Sequence, residues 1–240
     1  MAIRAVLFDV GGPIDTEIEH ERLIDQHIVE ALAAEGVAVT SGDLEAASEW
    51  AVRAFAPSTY AAMIWRLLDG DHQRAVRAYE ALHARSDERS AARGGIELRE
   101  GIAGAIGRLH SRGFALGLAA NQPARVIADL DRFGIGKYFT HREVSGHHGF
   151  RKPDVRLFLR ACEDLGVEPA ECIMVGDRVD NDIAPARLLG MRTVLFRTGR
   201  HAAQQPRSAD EVADVEVWTV GELVIATEAI LGEATEDGRV

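Results

Sequence analysis

The sequence is poor in residues that would place a protein in a specialised class. It has two cysteines and two lysines among its 240 residues, and aromatic residues make up 6%. Two cysteines are too few for a disulfide-rich secreted domain, so we expect Cys162 and Cys172 to be small buried residues in a reducing compartment. One disulfide between them is also compatible with the sequence.

Long apolar runs and an excess of positive charge are also missing. No run approaches the roughly 18 apolar residues that a membrane span needs. Acidic residues number 38 and basic residues 27, which gives a formal net charge of −11. This balance argues against a nucleic-acid partner, which requires basic patches, and against a polybasic membrane anchor. The apolar stretch at the N-terminus is too short for a signal peptide, and we expect a cytoplasmic protein.

Short apolar, β-rich segments alternate with helical patterns in most of the chain. Between residues 16 and 95, however, only helical periodicity is present. Alternating strands and helices predict a doubly wound, parallel α/β sheet, here formed by residues 1–15 and 96–240. Residues 16–95 then form an all-helical domain inserted after the first strand. The predicted strands are residues 3–8, 114–119, 138–144, 172–175, 193–196 and 215–218.

Polar side chains follow the ends of the predicted strands. Asp9 follows the first strand, Asn121 the second, and Asp177 the strand at 172–175, with Asp182 further along the same loop. Since ligands of parallel sheets bind at the carboxyl ends of the strands, we expect these groups to share one crevice. Carboxylates from two strands suit Mg²⁺, and a metal beside Lys152 suits an anionic substrate such as a phosphate.

Four segments carrying these residues resemble, in order, the motifs of the haloacid dehalogenase-like hydrolase superfamily. They are residues 8–12 (FDVGG), 119–121 (AAN), 151–154 (RKPD) and 175–182 (VGDRVDND). The resemblance covers residues 1–12 and 98–220, and the helical block lies where that family inserts an α-helical cap. It implies a Rossmann-like core and a Mg²⁺-dependent hydrolase, most simply a phosphatase acting on a small phosphate monoester through an aspartyl-phosphate intermediate.

The resemblance also implies roles for individual residues. Asp9 would be the nucleophile and Lys152 a catalytic residue that holds Asp9 and the phosphoryl oxygens by charge. Asn121 and Arg178 would join Lys152 in binding the substrate, while the cap would close over the site and select the leaving group. The implied metal ligands are Asp9, the backbone carbonyl of Gly11, Asp177 and, through water or a supporting contact, Asp182.

Two of the four segments depart from the family pattern. Gly11 stands where phosphatases of the family carry an aspartate that acts as general acid, and Pro13 and an early Asp15 follow it. Ala120 replaces a hydroxyl residue that would bind phosphate. General acid–base assistance contributes about 10²–10⁴-fold, so its loss should slow esters with poor leaving groups. Other groups that could supply the proton are Glu17, Glu19, His20, His147 and His148.

Two alternatives to a phosphatase therefore stay open. One is a catalytically weak protein that keeps the fold and the metal for binding or regulation. The other is a 2-haloacid dehalogenase, although that branch lacks the metal-binding Gly-Asp pair found here at residues 176–177. A phosphonatase is excluded, because no lysine precedes Gly136 to form the Schiff base in the cap. The expected partner is a small-molecule phosphate ester, and the sequence fits a monomer or a homodimer.

Overall fold

The structure, a computed structural model, describes residues 2–236 of the chain. The chain divides into two compact units. One contains the residues up to Thr16 together with those from Ile96 onward, and the other spans Glu17–Gly95. That the second unit acts as a cap stays a prediction.

The first unit is built on a five-stranded sheet. Its order is β2-β1-β3-β4-β5, and every neighbouring pair is parallel. From β1 the chain first adds β2 on one side and then crosses to β3 on the other side. The carboxyl ends of β1 and β3 therefore flank the switch point at which such sheets bind ligands. The strands are Ala5–Phe8 (β1), Ala115–Leu118 (β2), Cys172–Gly176 (β3), Arg192–Phe196 (β4) and Val215–Val217 (β5).

Helices account for most of the remaining chain. Among the described residues, α1 to α5 belong to the inserted unit and α6 to α11 to the sheet unit. None of the described helices combines the length and the apolarity that a membrane crossing would require. The helices are Ile18–Ala34 (α1), Ser41–Arg53 (α2), Thr59–Leu67 (α3), His72–Ala84 (α4), Ser86–Arg93 (α5), Ile102–Ser111 (α6), Val126–Arg132 (α7), Ser145–His148 (α8), Val155–Leu165 (α9), Ala184–Leu188 (α10) and Val220–Glu236 (α11).

The sheet is covered on both faces, which confirms the doubly wound α/β fold. Val6 and Phe8 of β1 belong to an apolar cluster that includes residues of α6, α7 and α11. Ala5 and Leu7, which alternate with them, belong to a second cluster with residues of α9 and α10. Because successive side chains of a strand point to opposite faces, both sets are buried, and the strand reads as one continuous apolar run.

The inserted unit has an apolar core of its own. Buried residues of α1, α2, α3 and α4 form one cluster, with Ile28, Met63 and Ile64 fully buried. Helix α2 begins with a capping box, in which Thr40 and Asp43 satisfy each other's backbone N–H groups. The sequence offers Ser41 and Asp43 as caps of this helix; Thr40, which keeps an extended backbone, is the N-cap residue, and Asp43 completes the capping box.

Two predicted elements differ from the structure. Residues 138–144 do not form a strand but make one isolated bridge, between His141 and Gly117 of β2. Pairing does not continue because the 3₁₀ turn Gly136–Tyr138 takes up the start of this segment and α8 follows its end. The sequence pattern predicts a last helix over residues 222–231 and a tail over 232–240, whereas α11 continues to Glu236. Residues 237–240 lie outside the described part of the chain.

Candidate active site

Three carboxylates meet at the carboxyl ends of β1 and β3. Asp9 follows β1 directly, Asp177 follows β3 directly, and Asp182 lies five residues further along. Each offers one oxygen, and these oxygens all lie within 4.8 Å of one another. All three residues are buried, with exposed fractions of 8%, 6% and 0%. Since buried carboxylates repel one another strongly, this cluster requires positive charge nearby.

Lys152 supplies part of that charge. Its Nζ lies 2.7 Å from Oδ2 of Asp9 and 2.6 Å from Oδ1 of Asp182, and the residue is only 4% exposed. One ammonium against three carboxylates leaves a formal charge of −2 if all three are ionised. The cluster therefore offers hard oxygen ligands and carries two uncompensated negative charges, which fits a divalent cation such as Mg²⁺.

Asp182 is held by the loop that follows β3. Its Oδ2 accepts hydrogen bonds from the backbone N–H of Asp177 at 3.1 Å and of Arg178 at 2.9 Å. Its carboxylate therefore closes this loop instead of capping the next helix. Gly176 leaves the necessary space, because a Cβ at that position would lie 2.3–2.4 Å from the side chain of Asp182. The glycine directly before Asp177 thus has a steric function.

A second glycine brings the loops after β1 and β3 into contact. Gly12 has a φ of +78°, which is in the left-handed region that favours glycine. A Cβ at this position would lie 2.7 Å from both Cβ and Cγ of Asp177. The backbone of the β1 loop therefore packs directly against the Asp177 side chain. Gly11 lies buried in the same loop, and its main chain pairs with that of Asp15.

Burial and charge shift the protonation of the cluster. Burial, together with the negative charge of Asp182, raises the pKa of Asp9 from 3.8 to about 6, although Lys152 opposes this shift. Burial alone would lower the pKa of Lys152, but Asp182 and Asp9 outweigh it and raise that pKa. Lys152 therefore remains an ammonium at neutral pH, and Asp9 is ionised above pH 6.

Asn121 is bound to the main chain of Lys152. Its Oδ1 accepts from the Lys152 N–H at 2.8 Å, and its Nδ2 donates to the Lys152 carbonyl oxygen at 3.0 Å. The amide therefore joins the loop after β2 to the segment that carries the lysine. Each primary amide nitrogen has two N–H donors. A contact between Asn121 and a phosphoryl oxygen stays a prediction.

Arg178 pairs with the largely buried carboxylate of Asp180, although a charged loop residue two positions away would be expected to be solvated. Its guanidinium pairs with Asp180 at 2.6 Å, and the two side chains are only 17% and 14% exposed. Gln204, which is buried, donates to Asp180 at 3.1 Å and accepts from the N–H of Val179 at 2.8 Å. Asp180 thus holds Arg178 in place. No local sequence pattern could have identified Gln204, because its partners lie about 25 residues upstream.

Asp15 and two of the candidate proton donors, His147 and His148, have structural contacts. The early Asp15 is fully buried, and its Oδ1 accepts a hydrogen bond from the N–H of Glu97 at 3.0 Å. Nδ1 of His147 accepts from the Val144 N–H at 3.1 Å, and Nδ1 of His148 accepts from the Phe150 N–H at 3.2 Å. Asp15 thus links two segments 82 residues apart, whereas each histidine nitrogen closes its own loop.

Comparison with known proteins identifies the family of this chain. A family model for haloacid dehalogenase-like hydrolases matches residues 3–190. The chain belongs to this family. Among curated relatives, the chain is 38% identical over 122 residues to a glyceraldehyde 3-phosphate phosphatase of Methanopyrus kandleri, covering 49% of this chain and 51% of the relative. It is 35% identical over 120 residues to a phosphoserine phosphatase of Thermus thermophilus, covering 48% and 45%. The matches span about half the length of these relatives.

Solved structures share the fold over nearly the whole chain. A haloacid dehalogenase-like phosphatase from Thermococcus onnurineus matches with a TM-score of 0.59 and 25% identity, covering 94% of this chain and 98% of the other. A predicted phosphoglycolate phosphatase from Haemophilus somnus reaches a TM-score of 0.69 at 18% identity, covering 94% and 98%. A 2-haloacid dehalogenase from Pseudomonas syringae also matches, with a TM-score of 0.56 at 22% identity and coverage of 94% and 99%. The latter two show the fold alone.

Proposed function

We propose that this member of the haloacid dehalogenase-like hydrolase family is a Mg²⁺-dependent phosphatase that hydrolyses a small phosphate monoester. The observation that carries the proposal is the buried cluster of three carboxylates with a single ammonium among them. It lies at the carboxyl ends of β1 and β3, where sheets of this class bind ligands. The phosphatase names of its relatives support the same substrate class.

Asp9 is the nucleophile in this proposal. One carboxylate oxygen attacks phosphorus, an aspartyl-phosphate forms, and the ester oxygen departs with its electron pair. Water then attacks phosphorus and breaks the acyl–phosphate bond, which releases inorganic phosphate and restores Asp9. The Val10 N–H donates to Oδ1 of Asp9 at 2.7 Å and Lys152 contacts Oδ2 at 2.7 Å, so the carboxylate is fixed from both sides.

The metal site would be formed by Asp9, the backbone carbonyl of Gly11 and Asp177, with Asp182 as a supporting carboxylate. When bound, Mg²⁺ would neutralise the phosphoryl oxygens and the excess negative charge of the cluster. Lys152 holds Asp9 and contributes its charge toward the transferred group. Asn121 fixes the Lys152 main chain and can offer its second N–H to a phosphoryl oxygen. Arg178, held by Asp180, would lie at the edge of the substrate site.

Phosphate release from a panel of small phosphate esters, with Mg²⁺ and with a chelator, tests the proposal. We expect release by the wild type only with Mg²⁺, and Asp9→Asn should lose at least about 10³-fold in kcat/KM. Asp210→Asn is a matched control, because Asp210 is exposed and its side chain makes no contact that the structure describes. Activity retained in Asp9→Asn would contradict the mechanism.

The same assay distinguishes the alternatives. Halide release from a 2-haloacid without Mg²⁺ would support a dehalogenase and overturn the phosphatase proposal. Mg²⁺ binding by the wild type without turnover of any ester would support a binding or regulatory protein.

A further inference from the structure

Arg99 links two loops at the ligand-binding edge of the sheet. Its Nε donates to the carbonyl oxygen of Gly12 at 2.8 Å, and its Nη2 donates to Oγ1 of Thr198 at 2.8 Å. Gly12 follows β1 and Thr198 follows β4. The guanidinium lies over the ring of Phe196, 4.9 Å from its centroid. The backbone N–H of Arg99 also donates to the carbonyl oxygen of Ile14 at 2.8 Å.

The loop that Arg99 holds contains two adjacent glycines. Gly11 and Gly12 have no side chains, and glycine is the residue with the greatest backbone freedom. Gly12 nevertheless packs so closely against Asp177 that a Cβ there would lie 2.7 Å from Cβ and Cγ of the aspartate. A displacement of Gly12 would therefore change where the Asp177 carboxylate can lie. It would also move the backbone of the adjacent Gly11.

We propose that Arg99 is a positioning residue for the metal site, acting through Gly12 on Asp177 and on the Gly11 carbonyl. This inference rests on the proposed function, because it presumes that Asp9, Gly11 and Asp177 hold Mg²⁺. Arg99 lies outside the four motif segments, and it follows the inserted helical unit in the chain. Its two bonds tie the β1 loop to the β4 loop, so the Gly-Gly segment has one defined position when the metal arrives.

The charge of Arg99 gives the test its direction. A guanidinium near a cation site repels the cation, so removing it should by electrostatics alone strengthen Mg²⁺ binding. A positioning role predicts the opposite, because a displaced Gly12 removes the preorganised ligand geometry. Supporting partners of metal ligands commonly change metal affinity by about 10–100-fold. The two effects therefore differ in sign.

The experiment is a calorimetric titration of Mg²⁺ into the wild type, Arg99→Met, Arg99→Lys and Thr198→Val. We expect Arg99→Met to bind Mg²⁺ about 10–100-fold more weakly than the wild type. Arg99→Lys carries all its donors on one nitrogen, so it cannot reproduce the spacing at which Nε and Nη2 bond Gly12 and Thr198, and its Mg²⁺ affinity should be intermediate. Thr198→Val removes only the far bond and should show a smaller weakening in the same direction. At saturating Mg²⁺ the KM for the ester should be unchanged.

Arg187→Met is the matched control. Arg187 also joins two segments, through Nε to the Asp210 carbonyl oxygen at 3.0 Å and Nη1 to Asp214 at 3.5 Å. Its loss should lower the melting temperature without changing Mg²⁺ affinity. Unchanged or tighter Mg²⁺ binding by Arg99→Met would overturn the role of Arg99 while leaving the metal site intact. If Arg99→Met does not fold, the Mg²⁺ affinities of Arg99→Lys and Thr198→Val test the proposal: weaker binding than in the wild type supports it, and unchanged or tighter binding overturns it. No Mg²⁺ binding by the wild type would overturn the proposed function together with this inference.

Discussion

Replacing Asp9 by Asn should change how the stability of the metal-free protein depends on pH. The folded state raises the pKa of Asp9 from 3.8 to about 6, mainly because the carboxylate is buried. A group whose pKa is higher in the folded than in the unfolded state stabilises the fold while it is protonated. This stabilisation is complete below the unfolded-state pKa and is lost as the pH rises through the folded-state pKa. An ionised Asp9 therefore destabilises the metal-free fold above pH 6 by about 3 kcal/mol.

Asn at position 9 does not titrate, so the pH-dependent part of this cost disappears. The amide must place its NH₂ group against either the Lys152 ammonium or the Val10 N–H, both of which are donors. The energetic cost of this donor–donor contact does not depend on pH. The difference in unfolding free energy between Asp9→Asn and wild type should therefore increase by about 2 kcal/mol between pH 4.5 and pH 7.5. Asp9→Asn should therefore become more stable relative to the wild type as the pH rises.

Urea unfolding in the presence of a chelator, followed by circular dichroism at several pH values, measures this difference. Asp210→Asn, at an exposed position, should show no comparable pH dependence relative to wild type. A difference between Asp9→Asn and wild type that stays constant from pH 4.5 to 7.5, or that falls, would refute the argument. It would mean that Lys152 fully compensates the burial of Asp9.

Three further predictions concern the cluster and its glycines. Mg²⁺ at 100 times its dissociation constant should stabilise the wild type by about 2.7 kcal/mol, and Asp177→Asn by far less, as seen in melting temperatures with and without the metal. Gly11, unlike Gly12, does not have a positive φ, so its backbone can carry a side chain. Gly11→Asp should raise kcat/KM for alkyl phosphates by about 10² and change kcat/KM for activated aryl phosphates much less. Equal changes for the two kinds of ester would argue against a missing general acid. Gly176→Ala should cost about 1–3 kcal/mol in urea unfolding because its Cβ would overlap Asp182, whereas Gly104→Ala, with open space around the new methyl group, should not destabilise the protein.

Much of the architecture could be predicted from short-range patterns. The apolar runs before Asp9 and before Gly176 predict buried parallel strands, and both form. Residues 138–144 show the limit of such patterns. Their composition is compatible with an edge strand, but a turn at Gly136 and the short helix from Ser145 leave room for only one isolated bridge to β2.

The candidate site divides in the same way. The positions of Asp9, Asp177 and Asp182 at strand ends were readable from the chain, since the ends of parallel strands share one edge. Which carboxylates contact Lys152 was not readable, because that depends on side-chain geometry between segments up to 143 residues apart in the numbering. The pairing of Arg178 with Asp180 was equally undecided, although these residues are only two positions apart.

The sequence by itself determined where the five strands of the sheet lie along the chain and which acidic residues follow their ends, because periodicity and turn formation act over a few residues. The tertiary structure alone decided that Arg99 bonds Gly12 and Thr198 and that Gln204 holds Asp180. Such contacts join loops from distant parts of the chain, and they exist only once the order of the sheet brings β1, β3 and β4 side by side.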